Sequence, residues 1–380
     1  MKVAYIYPEE LPSMKARTIS VINTFVELSK LCDTTLFTSS ESANLKTIKD
    51  HYNFDNQVKI KFIYKKFLGL KSNKFFNRNL LKEMTKEKID VYYVRHLKTA
   101  EFLIKHKPEN QKIIFECHEI FYKNMQKDSP NNDKKIAILK NMEEFIYQNC
   151  DGLTFVNKTL QIYFNETFKN IQSNQAIAYN GMNFGDKYIK KDFTDLNKIY
   201  YIGNFFKSKG IEDAIKTIPH LDHISLQIVG GDSDQRINEL ENLIQKLNIE
   251  DKINFLGFKK TKEVKNILQN NAKITIIPNT KALRNKFSMP IKLYEYMATS
   301  NIVIAANMET IQEIIIDGEN GFLFESGNLE SLKDTIQKVI SLPNETLQKI
   351  AKNAYETSKE FTWEKRAQNI LSFAKDVLSS

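Results

Sequence analysis

The sequence predicts an α/β protein built of two doubly wound parallel-sheet domains. In both halves of the chain, short apolar runs alternate with amphipathic stretches of helical periodicity. Such alternation is typical of parallel sheets that are covered by helices on both faces. The chain has 380 residues, which is enough for two domains that each bury a core. Glycines and polar residues follow several predicted strands, at the sheet edge where these folds bind ligands.

The first half of the chain alternates between strand and helix patterns. Its apolar runs predict strands at residues 2–7, 34–38, 58–64, 90–94, 112–116 and 153–156. The amphipathic stretches predict helices at residues 17–30, 75–88, 99–106, 133–149 and 158–168. We expect these elements to form an N-terminal domain of residues 1–190.

The second half repeats the pattern after a polar stretch from Asn180 to Asp195. Strands are predicted at residues 198–202, 225–229, 252–256, 273–277, 301–305 and 321–324. Helices are predicted at residues 211–217, 235–247, 261–269, 290–299, 311–316 and 329–342, with Thr310 and Glu313 as a capping box. The second domain should therefore span residues 191–362. An amphipathic terminal helix, residues 363–380, is expected to pack back on the first domain.

The composition predicts a soluble, cytoplasmic protein. Apolar residues make up 42% of the chain, and no run of them is long enough to span a bilayer. The N-terminal stretch predicts a strand and a turn, since its apolar run is too short for a signal peptide. Cys32, Cys117 and Cys150 are scattered without metal-ligand spacing, so we expect reduced thiols.

The positive charge of the chain is concentrated in its first half. Residues 1–190 hold 30 Lys and Arg against 21 Asp and Glu, whereas residues 191–380 hold 25 of each. Basic residues are densest in residues 59–88, where they alternate with Phe62, Phe67, Leu68, Leu70, Phe75, Phe76, Leu80 and Leu81. This pattern favours contact with an anionic membrane surface, although a solvated lysine-rich face has the same composition. Nucleic acid is disfavoured because no recognisable binding module accompanies the charge.

Glycine-containing and polar stretches follow four predicted strands of the second half. They are Gly203-Asn204-Phe205-Phe206-Lys207-Ser208-Lys209-Gly210, Gly230-Gly231-Asp232, Leu256-Gly257-Phe258 and Pro278-Asn279-Thr280. In the first of them, glycines and Lys209 precede a helix, an arrangement that suits a diphosphate. The chain has neither a Gly-x-Gly-x-x-Gly at a strand end nor a Walker loop. Dehydrogenase-type dinucleotide sites and P-loop sites are therefore disfavoured.

The stretch from Phe287 to Ala298 predicts a helix that begins with an anion site. Pro290 suits the first turn because it lacks an N–H group and has a fixed φ. The free N–H groups of that turn would bind an anion, most naturally a phosphate. Glu295 lies one turn further on, and its carboxylate would repel a phosphate. We expect it to accept hydrogen bonds from neighbouring sugar hydroxyls. The alternative is an ordinary amphipathic helix with a solvated glutamate.

Taken in order, these motifs resemble the donor-binding domain of the retaining glycosyltransferases of family 4, which have the GT-B fold. The matching segments are Gly203…Lys209-Gly210, Val229-Gly230-Gly231, Phe255-Leu256-Gly257-Phe258, Ile277-Pro278, Pro290 to Ala298, Glu313 to Phe324 and Phe361-Thr362-Trp363. The first half matches more loosely, at Tyr93-Val94-Arg95, Phe115-Glu116-Cys117-His118-Glu119 and Asn180-Gly181-Met182. The resemblance implies two Rossmann-like domains that face a central cleft.

The resemblance also implies roles for individual residues. Lys209 and the helix start would stabilise the departing diphosphate, Glu295 would hold the ribose, and His118 would contact the transferred sugar or orient the acceptor. The implied donor-binding residues are Gly203, Asn204, Lys207, Lys209, Gly230, Phe258, Asn279, Met289, Pro290, Ile291, Lys292, Leu293 and Glu295. The implied acceptor-binding residues are Arg17, Arg95 and His118. We expect a UDP- or GDP-sugar as co-substrate, and neither a metal nor another cofactor.

The chain departs from the family pattern at three places. Phe287 occupies the position of a first, sugar-facing acid, and Asn204 that of a basic residue next to the glycine. Stabilisation of the leaving group would then be weaker, or it would be shared with Lys207, Arg284 or Lys292. The first loop, residues 8–17, lacks the glycines that the family often carries there.

The implied function is the transfer of a hexosyl or N-acetylhexosaminyl group, with retention, to a glycan or lipid-linked acceptor. We expect it to serve bacterial surface polysaccharide, lipooligosaccharide or capsule assembly at the inner face of the cytoplasmic membrane. One alternative is a non-catalytic scaffold that binds a sugar nucleotide, which the changes at Phe287 and Asn204 would favour. A nucleotide-sugar epimerase of the same fold is a further alternative, disfavoured by the Pro-Ile-Lys-Leu-Tyr-Glu and Phe-Thr-Trp motifs.

Overall fold

The chain forms two compact units. The computed structural model describes residues 1–13, 15–40, 44–67, 70–169, 171–183, 187–231 and 233–380. One unit comprises Met1–Gly181 together with Trp363–Ser380, and the other comprises Met182–Thr362. Each unit contains one parallel sheet with its own buried apolar core. The predicted pair of doubly wound parallel-sheet domains is thus confirmed.

The strands of the described chain are β1 (Lys2–Glu10), β2 (Asp33–Ser39), β3 (Lys59–Phe62), β4 (Lys66–Phe67), β5 (Leu70–Lys71), β6 (Val91–Val94), β7 (Lys112–Cys117), β8 (Gly152–Phe155), β9 (Asn174–Ile177), β10 (Lys198–Ile202), β11 (Ser225–Val229), β12 (Ile253–Gly257), β13 (Ile274–Ile277), β14 (Ile302–Asn307) and β15 (Phe322–Glu325). The first sheet has the order β3-β2-β1-β6-β7-β8-β9, and the second has the order β12-β11-β10-β13-β14-β15. Within each order the strand pairs are parallel. Strands β4 and β5 form a separate two-stranded antiparallel sheet.

The helices are α1 (Ala16–Leu31), α2 (Leu45–Tyr52), α3 (Asn73–Met84), α4 (Leu97–His106), α5 (Phe121–Asp128), α6 (Asp133–Asn149), α7 (Lys158–Thr167), α8 (Ile211–Thr217), α9 (Asp234–Leu247), α10 (Thr261–Asn266), α11 (Leu283–Lys286), α12 (Ile291–Ala298), α13 (Glu309–Gln312), α14 (Leu329–Ser341), α15 (Asn344–Ser358) and α16 (Trp363–Ser379). None of the helices in the described ranges is long and apolar enough to cross a membrane.

The terminal helix α16 packs on the first unit, as the sequence predicts. Its apolar face contributes Ile370, Phe373 and Val377 to the same buried core as the central strands of the first sheet. A Cβ atom on Gly152 would lie 2.9 Å from side-chain atoms of both Phe373 and Val377. Strand β8 therefore begins with a glycine because the helix covers it at close range.

Some boundaries differ from the prediction. Met182 already belongs to the second unit, since it pairs with Thr362 and its N–H donates to the carbonyl oxygen of Phe361 at 3.0 Å. The first unit therefore ends at Gly181 rather than at residue 190. The predicted capping box is wrong, because α13 begins at Glu309 and places Thr310 inside the helix. The sequence analysis also missed α2, α5, α11, α15, β9 and the small β4-β5 pair.

Candidate functional site

Three loops meet in direct backbone contact at the carboxyl edge of the second sheet. The N–H of Gly203, after β10, donates to the carbonyl of Val229 at 2.9 Å. A Cβ on Gly230, after β11, would lie 1.8 Å from the carbonyl oxygen of Gly203. One on Gly210 would lie 1.7 Å from the carbonyl oxygen of Pro278, after β13. Gly230 and Gly210 also have φ of +147° and +68°. Only glycine fits at these two positions, and their absent side chains let the loops close on one another.

The Lys209 ammonium is held by a buried amide that the sequence analysis missed. Its Nζ donates to Oδ1 of Asn285 at 3.2 Å. The Nδ2 of Asn285 donates to the carbonyl oxygens of Ser208 at 2.5 Å and of Thr280 at 2.9 Å. Asn285 has no exposed surface and lies on the short helix α11. It thus ties the Lys209 loop to the loop after β13 and gives the lysine a neutral acceptor.

Helix α12 starts beside the end of β10. Pro290 is its N-cap with φ −73°, as expected of a proline at a helix start. The Tyr296 hydroxyl donates to the carbonyl oxygen of Ile202 at 3.1 Å and accepts from the N–H of the same residue at 3.2 Å. This two-way contact fixes the helix against the strand end. The first-turn N–H groups, including those of Ile291 and Lys292, thereby form a positive helix terminus next to the glycine loops.

Lys292 brings a second ammonium group to the same place. Its Nζ lies 4.4 Å from the centroid of the Tyr201 ring, a cation–π distance. A Cβ on Gly203 would lie 3.3 Å from this Nζ, so the glycine leaves room for the lysine. Burial and, to a smaller extent, the charge of Lys209 lower the pKa of Lys292 to about 7, while the charge of Glu295 opposes the shift. Two ammonium groups therefore repel one another here, and a bound anion would relieve that repulsion.

Glu295 lies one helical turn after Lys292 and is partly buried. Burial raises the pKa of its carboxyl group to about 7, although the ammonium of Lys292 opposes the shift. An acid and a base that both titrate near neutrality thus face the start of α12. Such strongly shifted groups cluster at functional sites.

The other predicted donor residues fall into exposed and buried groups. Phe258 is 70% exposed, and Asn204 and Lys207 are exposed as well. Met289 and Leu293 are buried, so only their backbone atoms could reach a ligand. Asn279 is 1% exposed, and its Oδ1 has no hydrogen-bond partner within the described ranges. The side chain of Arg284 lies outside the described part of the structure.

Phe287 occupies the position of the absent acid, but it is not a ligand-facing side chain. The ring is 6% exposed and counts among the buried apolar residues of the second unit. The ammonium of Lys286 lies 5.5 Å from the centroid of this ring. The burial of the ring assigns Phe287 to packing.

The predicted acceptor residues lie in the first unit. Glu116, at the end of β7, is buried and pairs with Arg366 of α16 at 3.0 Å and with Arg95 at 3.5 Å. Burial alone would raise the pKa of Glu116, but the guanidinium groups of Arg366 and Arg95 lower it to about 2. Arg95 is 6% exposed. Its guanidinium serves this buried network, which leaves little of it for contact with an acceptor.

His118 follows directly on this network. Its Nδ1 lies 3.3 Å from the carbonyl oxygen of Glu116, and its Nε2 lies 3.4 Å from a carboxylate oxygen of Glu119. The imidazole is partly exposed, and its ring meets that of Phe121 edge to face at 5.2 Å. The buried ion pairs thus hold the strand end from which His118 projects. The exposed guanidinium of Arg17 contacts Glu9 at 3.4 Å.

Carboxylate and imidazole groups are not arranged for a metal in the described ranges. No group of three or more His, Cys, Asp or Glu side chains that could hold a metal ion occurs among the described residues. Lys209, Lys292 and Glu295 are brought together in the second unit, whereas Arg17, Arg95 and His118 belong to the first.

Relatives of known class share part of this sequence. The uncharacterized glycosyltransferase MJ1178 of Methanocaldococcus jannaschii is 31% identical over 218 residues, which is 57% of this chain and 57% of that protein. The N-acetyl-alpha-D-glucosaminyl L-malate synthase of Bacillus anthracis is 29% identical over 251 residues, or 62% of this chain and 61% of that protein. The chain thus matches less than two thirds of the length of either relative.

Solved structures share the fold over nearly the whole chain. The Anabaena protein HepE in complex with UDP has a TM-score of 0.76 at 14% identity, covering 99% of this chain and 100% of that one. The same protein in complex with UDP-glucose has a TM-score of 0.73 at 15% identity, with the same coverage. These likenesses and the two parallel sheets confirm the GT-B fold. Residues 186–357 match the family described as glycosyl transferases group 1, and this match lies within the second unit.

Proposed function

We propose that this chain is a retaining glycosyltransferase that moves a hexosyl or N-acetylhexosaminyl group from a nucleotide-diphosphate sugar to a hydroxyl group of a glycan or lipid-linked acceptor. One observation carries the proposal. Two ammonium groups, Lys209 and Lys292, converge with the positive start of α12 on loops that glycines hold in backbone contact. That arrangement suits the diphosphate of a donor better than any neutral ligand.

The chemistry of glycosyl transfer needs fixed positive charge where the diphosphate departs. The Lys209 ammonium donates to the neutral amide oxygen of Asn285, which adds no negative charge beside it. Lys292 has a pKa near 7 because of burial and of Lys209, and a bound diphosphate would raise it again. Both ammonium groups would then face the developing negative charge in a preorganised site. We propose that they replace a metal ion and make up for the missing basic residue at Asn204.

The nucleotide would lie along the start of α12. Glu295 is placed one turn inside the helix, where its carboxylate would accept hydrogen bonds from the ribose hydroxyls. The exposed ring of Phe258 lies beside the Gly230-Gly231 loop and offers a face for a base. HepE, which has the same fold, binds UDP and UDP-glucose. We therefore propose a UDP- or GDP-sugar as donor.

In the first unit, His118 is the residue that we propose to contact the transferred sugar or the acceptor. Its partly exposed imidazole is held at the end of β7 by buried ion pairs. We further propose that the reaction serves bacterial surface polysaccharide, lipooligosaccharide or capsule assembly at the inner face of the cytoplasmic membrane. The support for this setting is the basic surface of the first unit.

A non-catalytic scaffold that binds a sugar nucleotide is the second candidate. The buried Phe287 favours it, because no carboxylate stands at the position where the family carries a sugar-facing acid. The two candidates share the nucleotide site and differ in turnover.

Incubation of the protein with UDP- and GDP-sugars and a panel of glycan and lipid-linked acceptors separates the candidates. We expect nucleotide diphosphate release with an α-configured product from an α-configured donor, and a loss of about a hundredfold or more in kcat for Lys209→Ala. Tight donor binding without turnover on any acceptor would favour the scaffold. Wild-type rates in both Lys209→Ala and Glu295→Ala would contradict the site.

A further inference from the structure

The basic segment of residues 59–88 is not uniformly available to a partner. Several of its lysines are engaged by acceptors in the first unit: Lys59 by Asp33, Lys61 by Glu87, Lys65 by the carbonyl of Pro8, Lys71 by Glu10 and Lys86 by Glu83. Four cations of the segment have no ion pair within the described ranges, namely Lys74, Arg78, Lys82 and Lys88. Fewer cations are therefore available to a partner than the composition of the segment indicates.

Three of these four cations form a line along helix α3. Lys74, Arg78 and Lys82 are spaced four residues apart, and all three are exposed. Residues four apart lie on one face of a helix. The opposite face is buried, with Phe76, Leu80 and Met84 in the core. Phe76 and Leu80, two of the apolar side chains predicted to face a membrane, therefore belong to the core, and Leu68 lies outside the described residues.

Exposed apolar side chains lie at the N-terminal end of the same helix. Tyr64 is 63% exposed and Leu70 is 75% exposed. Tyr64 is tied to α3, because its ring meets that of Phe75 at 6.1 Å and its carbonyl accepts from Nδ2 of Asn79 at 3.0 Å. Leu70 lies two residues before the Ser72 N-cap. The line of cations thus begins next to two large apolar side chains that are mostly exposed.

We propose that this face, formed by Lys74, Arg78, Lys82, Tyr64 and Leu70, docks the chain on an anionic lipid bilayer. Cations at this spacing complement the negative potential of an anionic leaflet, and the exposed apolar groups can enter the interface between headgroups and acyl chains. A nucleic acid would use the cations alone and leave Leu70 in water. The docking does not depend on the proposed sugar transfer, since none of its five residues belongs to the proposed donor or acceptor site.

Co-sedimentation with lipid vesicles tests the proposal. The probes are vesicles of phosphatidylcholine alone and vesicles of phosphatidylcholine mixed with phosphatidylglycerol. The full chain should sediment with the mixed vesicles only. A triple variant, Lys74→Gln, Arg78→Gln and Lys82→Gln, should lower the partition coefficient by about a hundredfold, since each cation near an anionic surface contributes about fivefold. A double variant, Tyr64→Ser and Leu70→Ser, should release the fraction that stays bound at high salt.

The matched control removes the same charge elsewhere. Lys349, Lys352 and Lys375 are exposed lysines on α15 and α16, and their change to Gln should leave vesicle binding unaltered. Equal losses in both triple variants would reduce the effect to net charge and overturn the proposal. So would sedimentation of the α3 variant at the wild-type level, or binding of the wild-type chain to double-stranded DNA but not to the mixed vesicles. Thermal unfolding of each variant checks that it folds.

Discussion

Asn285 is a single neutral side chain on which the charge of the site depends. Its Oδ1 accepts from Lys209 Nζ at 3.2 Å, and its Nδ2 donates to the carbonyl of Thr280 at 2.9 Å. A carboxylate in its place would add a negative charge beside the lysine. The amide of Asn285 therefore holds Lys209 without adding such a charge.

We expect Asn285→Asp to damage donor use more than Asn285→Ala does. Both variants lose the donation to the two loop carbonyls, which should cost about 1–3 kcal/mol of stability. Only the Asp variant adds a negative charge beside Lys209. Steady-state kinetics should therefore give a kcat/KM at least about tenfold lower for Asp than for Ala. Equal values for the two variants would mean that the charge of Lys209 does not matter.

Lys292 and Glu295 predict a bell-shaped dependence of donor affinity on pH. Burial lowers the pKa of Lys292 to about 7 and raises that of Glu295 to about 7. Above neutrality Lys292 loses the proton that attracts the diphosphate, so affinity should fall by up to about tenfold per pH unit. Below neutrality Glu295 gains a proton and accepts fewer hydrogen bonds from the ribose, so affinity should fall again. The two apparent pKa values belong to the pair.

Substitutions separate the two limbs of that profile. Lys292→Arg keeps its charge, so the alkaline fall should disappear, and Glu295→Gln should remove the acid fall while weakening binding. Calorimetric titration of UDP from about pH 5 to about pH 9 measures both. A flat profile for the wild-type chain would contradict the assignment.

Some residues of the site could be predicted from local sequence motifs, and others could not. Lys209, Lys292 and Glu295 stand in short motifs at strand ends and at a proline-led helix start, so local pattern was enough to propose them. Asn285, Tyr296 and Arg366 act through contacts with residues that are 76, 94 and 250 positions away. No local pattern encodes such partners, and the sequence analysis missed all three.

At the scale of elements, the glycine loops of the second unit are set by steric contact. Gly210 and Gly257 have nearly equal φ values of +68° and +69°. A Cβ at Gly210 would strike the carbonyl of Pro278 at 1.7 Å, whereas one at Gly257 would meet nothing within 4 Å. The two positions therefore differ in the room they leave for a Cβ atom and not in backbone conformation.

Alanine at these two glycines should give different losses of stability. Gly257→Ala should cost about 1–2 kcal/mol, the strain of a left-handed conformation. Gly210→Ala carries the same strain and must also displace a backbone carbonyl, which should add about 1–3 kcal/mol. Urea unfolding of both variants measures the difference. Equal midpoints would show that the loops after β10 and β13 are not rigidly packed.

Helix α16 is held on the first unit by charge as well as by apolar packing. Arg366 has 2% exposure and pairs with the buried Glu116 at 3.0 Å, and its Nε donates to the hydroxyl of Thr24 at 2.9 Å. The depressed pKa of Glu116, about 2, contributes stability above its unfolded value, and that contribution is lost as the pH falls through about 2.

Removal of Arg366 should reverse this dependence on pH. Arg366→Met leaves Glu116 buried with Arg95 as its remaining cation and should cost about 3–5 kcal/mol at neutral pH. The carboxyl pKa should then rise, so the variant should gain stability on acidification while the wild-type chain does not. The double variant with Glu116→Gln should recover part of the loss. Urea unfolding at neutral and mildly acid pH tests both statements, and a variant that responds to pH like the wild type would contradict them.

The elements themselves were largely predictable. Most of the inner strands of both sheets have apolar runs because helices cover both faces, and those runs identify them. Helix α15 was missed although it has 15 residues, because large aliphatic side chains supply only Leu347 and Ile350 of its buried face and it follows directly on Pro343. Strand β9 was missed because Asn174–Ile177 has little apolar pattern and takes its place from pairing with β8.

For the whole molecule, the sequence motifs and the sheet topology both indicate a fold of two domains. The order of motifs in the second half predicted the GT-B fold, and the two parallel sheets agree with it. The two units hold different parts of the proposed reaction: a cationic nucleotide site in Met182–Thr362, and a histidine on a buried ion-pair network in the other unit. The nucleotide site and the role of His118 can be tested separately, so a negative result for one does not prevent measurement of the other.

We propose above that the second unit binds a nucleotide-diphosphate sugar through Lys209 and Glu295. Calorimetric titration with UDP-, GDP-, ADP- and CMP-sugars measures this binding for the full chain and for the variants Lys209→Ala and Glu295→Ala. We predict that a UDP- or GDP-sugar binds, that each variant weakens that binding by about tenfold or more, since each loses a charge-assisted contact, and that the CMP-sugar, which has a single phosphate, does not bind. Absence of binding to every nucleotide-diphosphate sugar, or equal affinities of the wild type and both variants, would contradict the account.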